Sequence, residues 1–143
     1  MNADLYLHHL REGMPATLDL VANELGIEHW AEPLPTGVTV LRQRFEGRFR
    51  AKMLDACSHF DPAKPQPFWW FGVSPDGLLC TDCARGTLGG IAALARAKSH
   101  VLTYPCDLCH VKQPRAAWGV ARSGIISVVG QLCDRCLRGG GPR

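Results

Sequence analysis

The chain has 143 residues, 46% of them hydrophobic and 20% charged, and this ordinary globular composition excludes wholesale disorder. The length allows one domain or two small ones, and no apolar run approaches the roughly 20 residues of a membrane-spanning helix. The net charge of +3 conceals an asymmetry, because residues 1–35 carry six acids and one base while residues 36–143 carry seven acids and fifteen bases. The chain opens without the charged and apolar regions of a secretion signal, so we expect a cytoplasmic protein.

Two short helices are expected in the acidic leading segment. The first spans residues 3–12 and stops at Gly13, and the second begins near Pro15, which suits a first helical turn, and ends at Gly26. After Ile27 the prolines allow only a broken, acidic continuation, so a helix that reads a DNA groove is disfavoured. We predict a packed helical hairpin. The apolar stripe that supports the second helix consists of Leu18, Val21, Ala22 and Leu25.

The most basic stretch of the chain, residues 38–54, fits two structures. As a helix it places Leu41, Phe45 and Phe49 at steps of four, whereas as a β-hairpin it uses Gly47 in the left-handed position of a three-residue loop. The β-branched opening and the mid-segment glycine favour the hairpin, which we predict. Either structure gathers basic side chains that repel one another, which indicates an anionic partner unless the acidic segment neutralises them. The five predicted contact residues are Arg42, Arg44, Arg48, Arg50 and Lys52.

All seven cysteines lie between residues 57 and 136, and six of them form three Cys-x-x-Cys pairs. Each pair can grip one tetrahedral metal ion from a single tight turn, and two pairs complete a closed zinc site. Cys57 and His59 supply a fourth pair, so that eight ligands suffice for two zinc ions. The predicted first site is Cys57, His59, Cys80 and Cys83, and the predicted second site is Cys106, Cys109, Cys133 and Cys136.

An internal repeat supports this pairing, because an aromatic-Gly-Val segment and a Leu-Cys-x-x-Cys-x-Arg-Gly segment each occur twice. The copies are residues 71–77 and 118–124 for the first segment, and residues 79–86 and 132–139 for the second. Spacing alone also permits the first and second Cys-x-x-Cys pairs to share a site, which would leave the third pair without a partner. The same thiolates can hold an iron–sulfur cluster or remain free.

Each half of the cysteine region is predicted to form a β-hairpin. In the first half a strand at residues 68–73 places two aromatic rings on each face, a turn lies at residues 74–77, and a helix follows from Thr87. This order, with a ligand pair before the hairpin and another before the helix, resembles the treble-clef class of zinc folds over residues 57–98. The second half ends in a Gly-rich tail without room for a helix and resembles a zinc ribbon over residues 104–139.

We therefore predict a small zinc-stabilised α+β protein. Its N-terminal helical hairpin precedes two zinc-binding β-hairpin units, the first treble-clef-like and the second zinc-ribbon-like. The predicted divisions are residues 1–36 for the acidic segment, 37–101 for the basic hairpin with the first zinc unit and its helix, and 102–143 for the second zinc unit and its tail.

Enzymatic activity is not expected, since a zinc ion with four protein ligands has no open position for water. Part of a zinc deaminase signature is present, but its upstream His-x-Glu or Cys-x-Glu triplet is missing. The leading hypothesis is a basic surface that binds nucleic acid or a protein of a nucleic-acid machine, with no membrane or small-molecule partner. Alternatives are a protein–protein adaptor or inhibitor that presents Trp69, Trp70 and Trp118, and a thiol redox or metal sensor. The bases that extend the predicted surface are Arg85, Arg122, Arg135 and Arg138.

Overall fold

The computed structural model describes residues 3–59, 67–97, 105–112 and 116–139. These ranges contain four helices and six strands. In chain order they are α1 (Ala3–Leu25), β1 (Glu28–His29), α2 (Thr36–Arg50), β2 (Asp55–Ala56), β3 (Phe68–Phe71), β4 (Ser74–Cys80), α3 (Thr81–Ala97), β5 (Ala116–Ser123), β6 (Ile126–Cys133) and α4 (Asp134–Leu137). None of these helices has both the length and the apolar character that a bilayer crossing requires.

The six strands form one mixed sheet in the order β1-β5-β6-β3-β4-β2. Two antiparallel hairpins, β3–β4 and β5–β6, build most of it. A parallel pairing joins the hairpins, because Phe68 of β3 pairs with Ile126 of β6 and Phe71 pairs with Val129. The predicted α+β class is therefore confirmed, and the two predicted zinc units share a single sheet.

Both faces of the sheet are covered by apolar side chains. Alternate residues of a strand point to opposite faces, so Trp69 and Phe71 face the layer of α1 and α3, while Phe68 and Trp70 face α2. All four rings are buried, with two on each face as the sequence predicts. The helices contribute Met14, Leu18 and Ala22 from α1, Ile91 from α3, and Val38, Leu41 and Phe45 from α2.

The predicted N-terminal helical hairpin is wrong, because residues 3–25 form the single helix α1. Gly13 and Pro15, the predicted boundaries, both lie inside it. A buried apolar stripe of α1 packs on the sheet, and this tertiary packing outweighs the weak helix preference of the two residues. Gly26 ends the helix as predicted, with a left-handed φ of +72°. The chain then forms β1, which pairs with β5.

The predicted hairpin over residues 38–54 is also wrong, because most of this stretch belongs to α2. Val38, Leu41 and Phe45 lie on one side of the helix and are each at most 2% exposed. Burial of a side chain of this size contributes roughly 1.5–3 kcal/mol, whereas a glycine in a helix interior costs about 1 kcal/mol. Packing against the sheet therefore outweighs the local preference of Gly47 and the β-branched residues.

The first hairpin turns earlier than predicted. Its loop is formed by Gly72 and Val73, so the predicted turn at residues 74–77 lies within β4. The Gly72 amide donates a hydrogen bond to the Val129 carbonyl at 2.9 Å, which fixes the loop beside β6. The matching repeat segment, residues 118–124, lies mostly in β5, so this part of the repeat is not a structural equivalence.

A helix follows each hairpin directly. Helix α3 begins at Thr81, earlier than the predicted start at Thr87, and Asp82 in its first turn complements the positive end of the helix dipole. The expectation that no helix follows the second hairpin is also corrected, since the four-residue helix α4 begins at Asp134. The last residues of the chain, 140–143, lie outside the described part.

Gly37, in the first turn of α2, lets that helix lie directly against the backbone carbonyl of Cys136 in α4. A Cβ at residue 37 would overlap this carbonyl, whereas a Cβ at Gly47 of the same helix would meet no other atom within 4 Å. We expect Gly37→Ala to lower the free energy of unfolding by roughly 1–3 kcal/mol and Gly47→Ala to raise it by about 0.5–1 kcal/mol. Urea titration followed by circular dichroism checks both variants. Equal midpoints for the two would contradict the close contact.

Candidate metal centres

The first ligand cluster lies where β4 passes into α3. Cys80 is the last residue of β4, and Cys83 lies in the first turn of α3. Cys57 and His59 follow β2, which pairs in parallel with β4, and the Cys57 amide donates to the Leu78 carbonyl at 2.9 Å. The four potential ligand atoms lie within 4.8 Å of one another.

The second cluster lies where β6 passes into α4. Cys133 is the last residue of β6, and Cys136 belongs to α4. Cys106 and Cys109 lie in a tight turn, which the His110 amide closes by donating to the Cys106 carbonyl at 2.8 Å. The four sulfur atoms again lie within 4.8 Å of one another.

The distances within both clusters fit a tetrahedral zinc ion. Zn–S bonds of ~2.3 Å and Zn–N bonds of ~2.0 Å at tetrahedral angles separate two sulfurs by ~3.8 Å and a sulfur from a nitrogen by ~3.5 Å. In the second cluster the Sγ atoms of Cys109 and Cys133 are 3.9 Å apart. In the first, His59 Nδ1 lies 3.6 Å from Cys80 Sγ and 3.3 Å from Cys83 Sγ. Each set therefore has the donor types, number and spacing that zinc requires.

The pKa values of two thiols in the first cluster shift in opposite directions. Burial acts to raise the pKa of Cys57, but hydrogen bonds from the Cys80 amide and from His59 outweigh it and lower that pKa to about 6. The hydrogen bond to Cys80, burial and the neighbouring thiolate charges raise the pKa of Cys83 to about 11. One thiolate thus suppresses the next, and a divalent cation between them removes the repulsion.

In the second cluster, too, the pKa of one thiol is lowered and that of another is raised. Burial acts to raise the pKa of Cys106, but hydrogen bonds from backbone amides, including those of Cys109 and Cys133, reverse the shift and lower it. Burial and hydrogen bonds with the neighbouring sulfurs raise the pKa of Cys136. A group of four adjacent thiols, three of them buried, with opposed pKa shifts is the arrangement that a bound cation stabilises.

Backbone amides donate hydrogen bonds to sulfur in both clusters, and such bonds favour the thiolate form that binds metal. The donors are the Cys80 amide to Cys57 Sγ at 3.3 Å, the Leu108 amide to Cys106 Sγ at 3.4 Å and the Cys136 amide to Cys133 Sγ at 3.4 Å. The chain therefore has two zinc-binding sites with the predicted ligands, and the rival pairing of the first two Cys-x-x-Cys motifs is wrong. Comparisons of the chain with protein-family models, with curated proteins and with solved structures found no match.

The two sites differ in their exposure to solvent. Three of the four cysteines at the second site are at most 2% exposed. At the first site His59 and Cys83 are exposed, and only Cys80 is buried. Water and competing ligands therefore reach a zinc ion at the first site more readily than one at the second.

Two of the five predicted contact residues of α2 are held by carboxylates. Arg42 donates to Glu32 at 2.8 Å, and this bond lowers the pKa of Glu32. Arg48 donates to Asp76 at 2.8 Å. Glu32 belongs to the acidic leading segment, so among the described residues that segment neutralises one of the five bases.

The other three bases have no carboxylate partner among the residues that the structure describes. Arg44 donates to the Asp107 carbonyl at 3.3 Å, while Arg50 and Lys52 are exposed at the end of α2. Because the segment is a helix, the facing Arg–Arg pairs of the predicted hairpin do not form, and the bases are distributed around the helix and along it. Their use in binding remains a prediction.

The remaining predicted contact residues lie on other elements. Arg122 is exposed on β5, and Arg135 is exposed on α4. Arg138 pairs with Asp134 at 3.3 Å, and Arg85 of α3 pairs with Asp82 at the same distance. Whether these four arginines bind a partner remains a prediction.

The adaptor hypothesis required tryptophans at the surface. Trp69 is 5% exposed and Trp70 is 2% exposed, since both strand faces are covered by helices. Trp118 is partly buried beside the α1 layer. The first two tryptophans therefore belong to the core and cannot be presented to a partner by the folded protein.

Asp107 is a supporting residue that the sequence did not reveal. It lies between the second-site ligands Cys106 and Cys109, and its carboxylate accepts a hydrogen bond from the Gln131 amide at 2.7 Å. The Asp107 amide in turn donates to the Gln131 carbonyl at 2.9 Å, so this residue continues the sheet beside β6 where β3 has ended. Burial raises the pKa of Asp107 to about 6, against the hydrogen bond from Gln131. The turn that carries two ligands is thereby attached to β6.

We expect the intact chain to bind two zinc ions, and a chelator to remove the ion of the exposed first site before that of the second. Native mass spectrometry during titration with a chelator checks the order. His59→Ala should keep only the ion of the second site, which the chelator removes slowly. Cys106→Ser should keep only the ion of the first site, which the chelator removes quickly. Simultaneous loss of both ions from the intact chain would contradict the inequality of the sites.

Replacement of Asp107 should weaken the second site without removing a ligand. We expect Asp107→Ala to lower zinc affinity there by roughly 10- to 100-fold, because the turn loses its attachment to the Gln131 amide. Asp107→Asn keeps a side-chain oxygen that can accept the same bond and should have a smaller effect. Competition with a chromogenic chelator measures both. Identical losses in the two variants would show that the hydrogen bond is unimportant.

Proposed function

We propose that this zinc-binding protein is a non-enzymatic nucleic-acid-binding protein that contacts phosphates through the end of α2. The contact region, here called the α2 terminus, comprises residues 49–53, all of which are exposed. It includes Arg50 and Lys52, and Arg44 lies one to two turns earlier on the same helix. Lysine and arginine side chains of this kind supply the phosphate contacts that dominate nucleic-acid affinity.

Lys52 carries the proposal because its backbone conformation is unfavourable for a lysine. Its φ is +56°, in the left-handed region where helix ends favour glycine. A non-glycine residue costs about 1–2 kcal/mol there, whereas a cation at an exposed helix C-terminus contributes only about 0.3–1 kcal/mol. The lysine therefore lowers the stability of the fold on balance. Local backbone strain of this kind is concentrated at functional sites. The group that Lys52 offers for a function is its positively charged ammonium.

The negative end of the helix dipole does not oppose this use of the α2 terminus. The amides of Ala51, Lys52 and Met53 donate to the carbonyls of Gly47, Phe49 and Arg48 at 3.0, 3.1 and 3.0 Å, respectively. The last carbonyls of α2 are therefore capped by hydrogen bonds. Within residues 49–53 the exposed charges are the cations Arg50 and Lys52.

The first zinc site supports the position of the α2 terminus. Leu54 packs against the core below α2, and residues 55–56 form β2 before the chain reaches Cys57. A zinc ion bound to Cys57 and His59 thus holds the segment that follows the terminus. In this proposal both ions are structural, since four protein ligands leave no position for water or substrate. We place the protein in the cytoplasm, where its seven thiols remain reduced and available to zinc.

Replacement of Lys52 by glycine separates folding from binding. We expect Lys52→Gly to raise the free energy of unfolding by about 1 kcal/mol, because glycine adopts the left-handed conformation without strain. The same variant should bind labelled DNA or RNA more weakly. The slope of log affinity against log salt concentration should also fall by the amount expected for the loss of about one phosphate contact. Urea titration and fluorescence anisotropy measure the two effects.

Lys112→Ala is the matched control, because it removes one positive charge from an exposed lysine that lies outside every predicted contact surface. It should leave affinity within about twofold at moderate salt. A protein that binds neither DNA nor RNA at low salt would overturn the proposal. So would a Lys52→Gly variant that binds as tightly as the intact chain. Recovery of a stoichiometric protein partner after nuclease treatment would favour an adaptor instead.

A further inference from the structure

The α2 terminus also presents an aromatic ring to solvent. Phe49 is 50% exposed, although it lies on the helix that covers one face of the sheet. Its ring centroid is 5.9 Å from that of Phe45 with a 44° tilt, and the Phe45 ring is 5.5 Å from that of the buried Trp70. One side of the Phe49 ring is therefore supported by the core, while the rest of the ring faces water.

Cations and apolar groups alternate along the α2 terminus. Arg50 follows Phe49 directly, and Lys52 is followed by Met53, which is 59% exposed. Exposed large apolar groups are unfavourable in water, and a partner that only supplied phosphates would leave both of them exposed. A ligand that contacts the whole α2 terminus therefore needs negative charge for the cations and, close by, a flat apolar surface for the aromatic ring.

We propose that the nucleic acid bound at the α2 terminus is single-stranded and that a base stacks on Phe49. This inference rests on the function proposed above and names its substrate class. Single strands expose the faces of their bases, which stack on aromatic side chains, while their phosphates bind nearby cations. In a duplex the base faces are covered by neighbouring base pairs, so stacking on Phe49 first requires unstacking of a base step, at a cost of a few kcal/mol.

The packing of Phe49 makes it suitable for stacking. Its contact with Phe45 limits the orientations of the ring, so little side-chain freedom is lost when a base arrives. Because every base has a flat apolar face, one ring of this kind confers little sequence preference. We therefore expect binding to depend on strandedness more than on sequence.

Anisotropy with fluorescein-labelled oligonucleotides of about 12 nucleotides tests the inference, since that length spans one binding site of this type. The probes are a mixed-sequence single strand, as DNA and as RNA, and a duplex of the same sequence. We expect the intact chain to prefer the single strand. Phe49→Leu keeps an apolar side chain on Phe45 but has no aromatic face, so it should lose roughly 5- to 100-fold in single-strand affinity and leave duplex affinity within about twofold.

Two further variants make the outcome specific. Phe49→Trp restores a stacking surface and should recover the affinity that Phe49→Leu loses. Val40→Ala, which shortens another exposed apolar side chain of α2, should change nothing. Zinc content and circular dichroism confirm that each variant is folded.

The possible failures are distinguishable. If the intact chain binds neither single strand nor duplex, the proposed function itself is wrong. If it binds both equally and Phe49→Leu weakens neither, or weakens both to the same extent, the stacking inference is overturned while phosphate binding by Lys52 stands. Loss confined to single strands in Phe49→Leu, with recovery in Phe49→Trp, supports the inference.

Discussion

The fold depends on the two zinc sites, each of which lies where a strand passes into a helix and brings four ligand side chains close together. At each place one ligand ends a strand and another lies in the following helical turn, at Cys80 and Cys83 and again at Cys133 and Cys136. The other two ligands arrive from a distant segment. Thiolates at such short separation repel one another, so a cation is needed to hold all four together. Once bound, it fixes the direction of the helix and the position of the distant segment at the same time.

The zinc sites and the apolar core do not stabilise separate units. Cys80, Cys106 and Cys133 are members of the same buried cluster as Phe68 and Leu132, below α2. The sequence predicted two zinc-binding β-hairpin units, one after the other along the chain. The structure shows that each core layer spans both hairpins, because β3 and β6 are neighbours in one sheet. Loss of one ion therefore disturbs a layer that the other half of the molecule shares.

Six of the eight ligands were predictable because Cys-x-x-Cys spacing is a local property with a known geometric purpose. Cys57 and His59 followed from the number of ligands that two tetrahedral sites need. The choice between helix and hairpin for residues 38–54 was not predictable, since the stripe of Leu41 and Phe45 and the turn at Gly47 are both present in the sequence. The sheet face that decides between them is assembled from residues far along the chain. The parallel pairing of β3 with β6 and the role of Asp107 depend on the same long-range assembly. Neither has a signature in the residues that take part.

The α2 terminus can tolerate unfavourable features because the chain is fixed on both sides of it. At its start, α2 is held where Gly37 meets the carbonyl of Cys136, and beyond its end the chain passes through β2 to Cys57 at the first zinc site. Between these anchors, a left-handed Lys52 and a half-exposed Phe49 lower stability without releasing the segment. Rigid support of this kind reduces the conformational entropy that a partner must remove on binding. A partner that binds at the α2 terminus, as proposed, would therefore benefit from the support of both zinc sites.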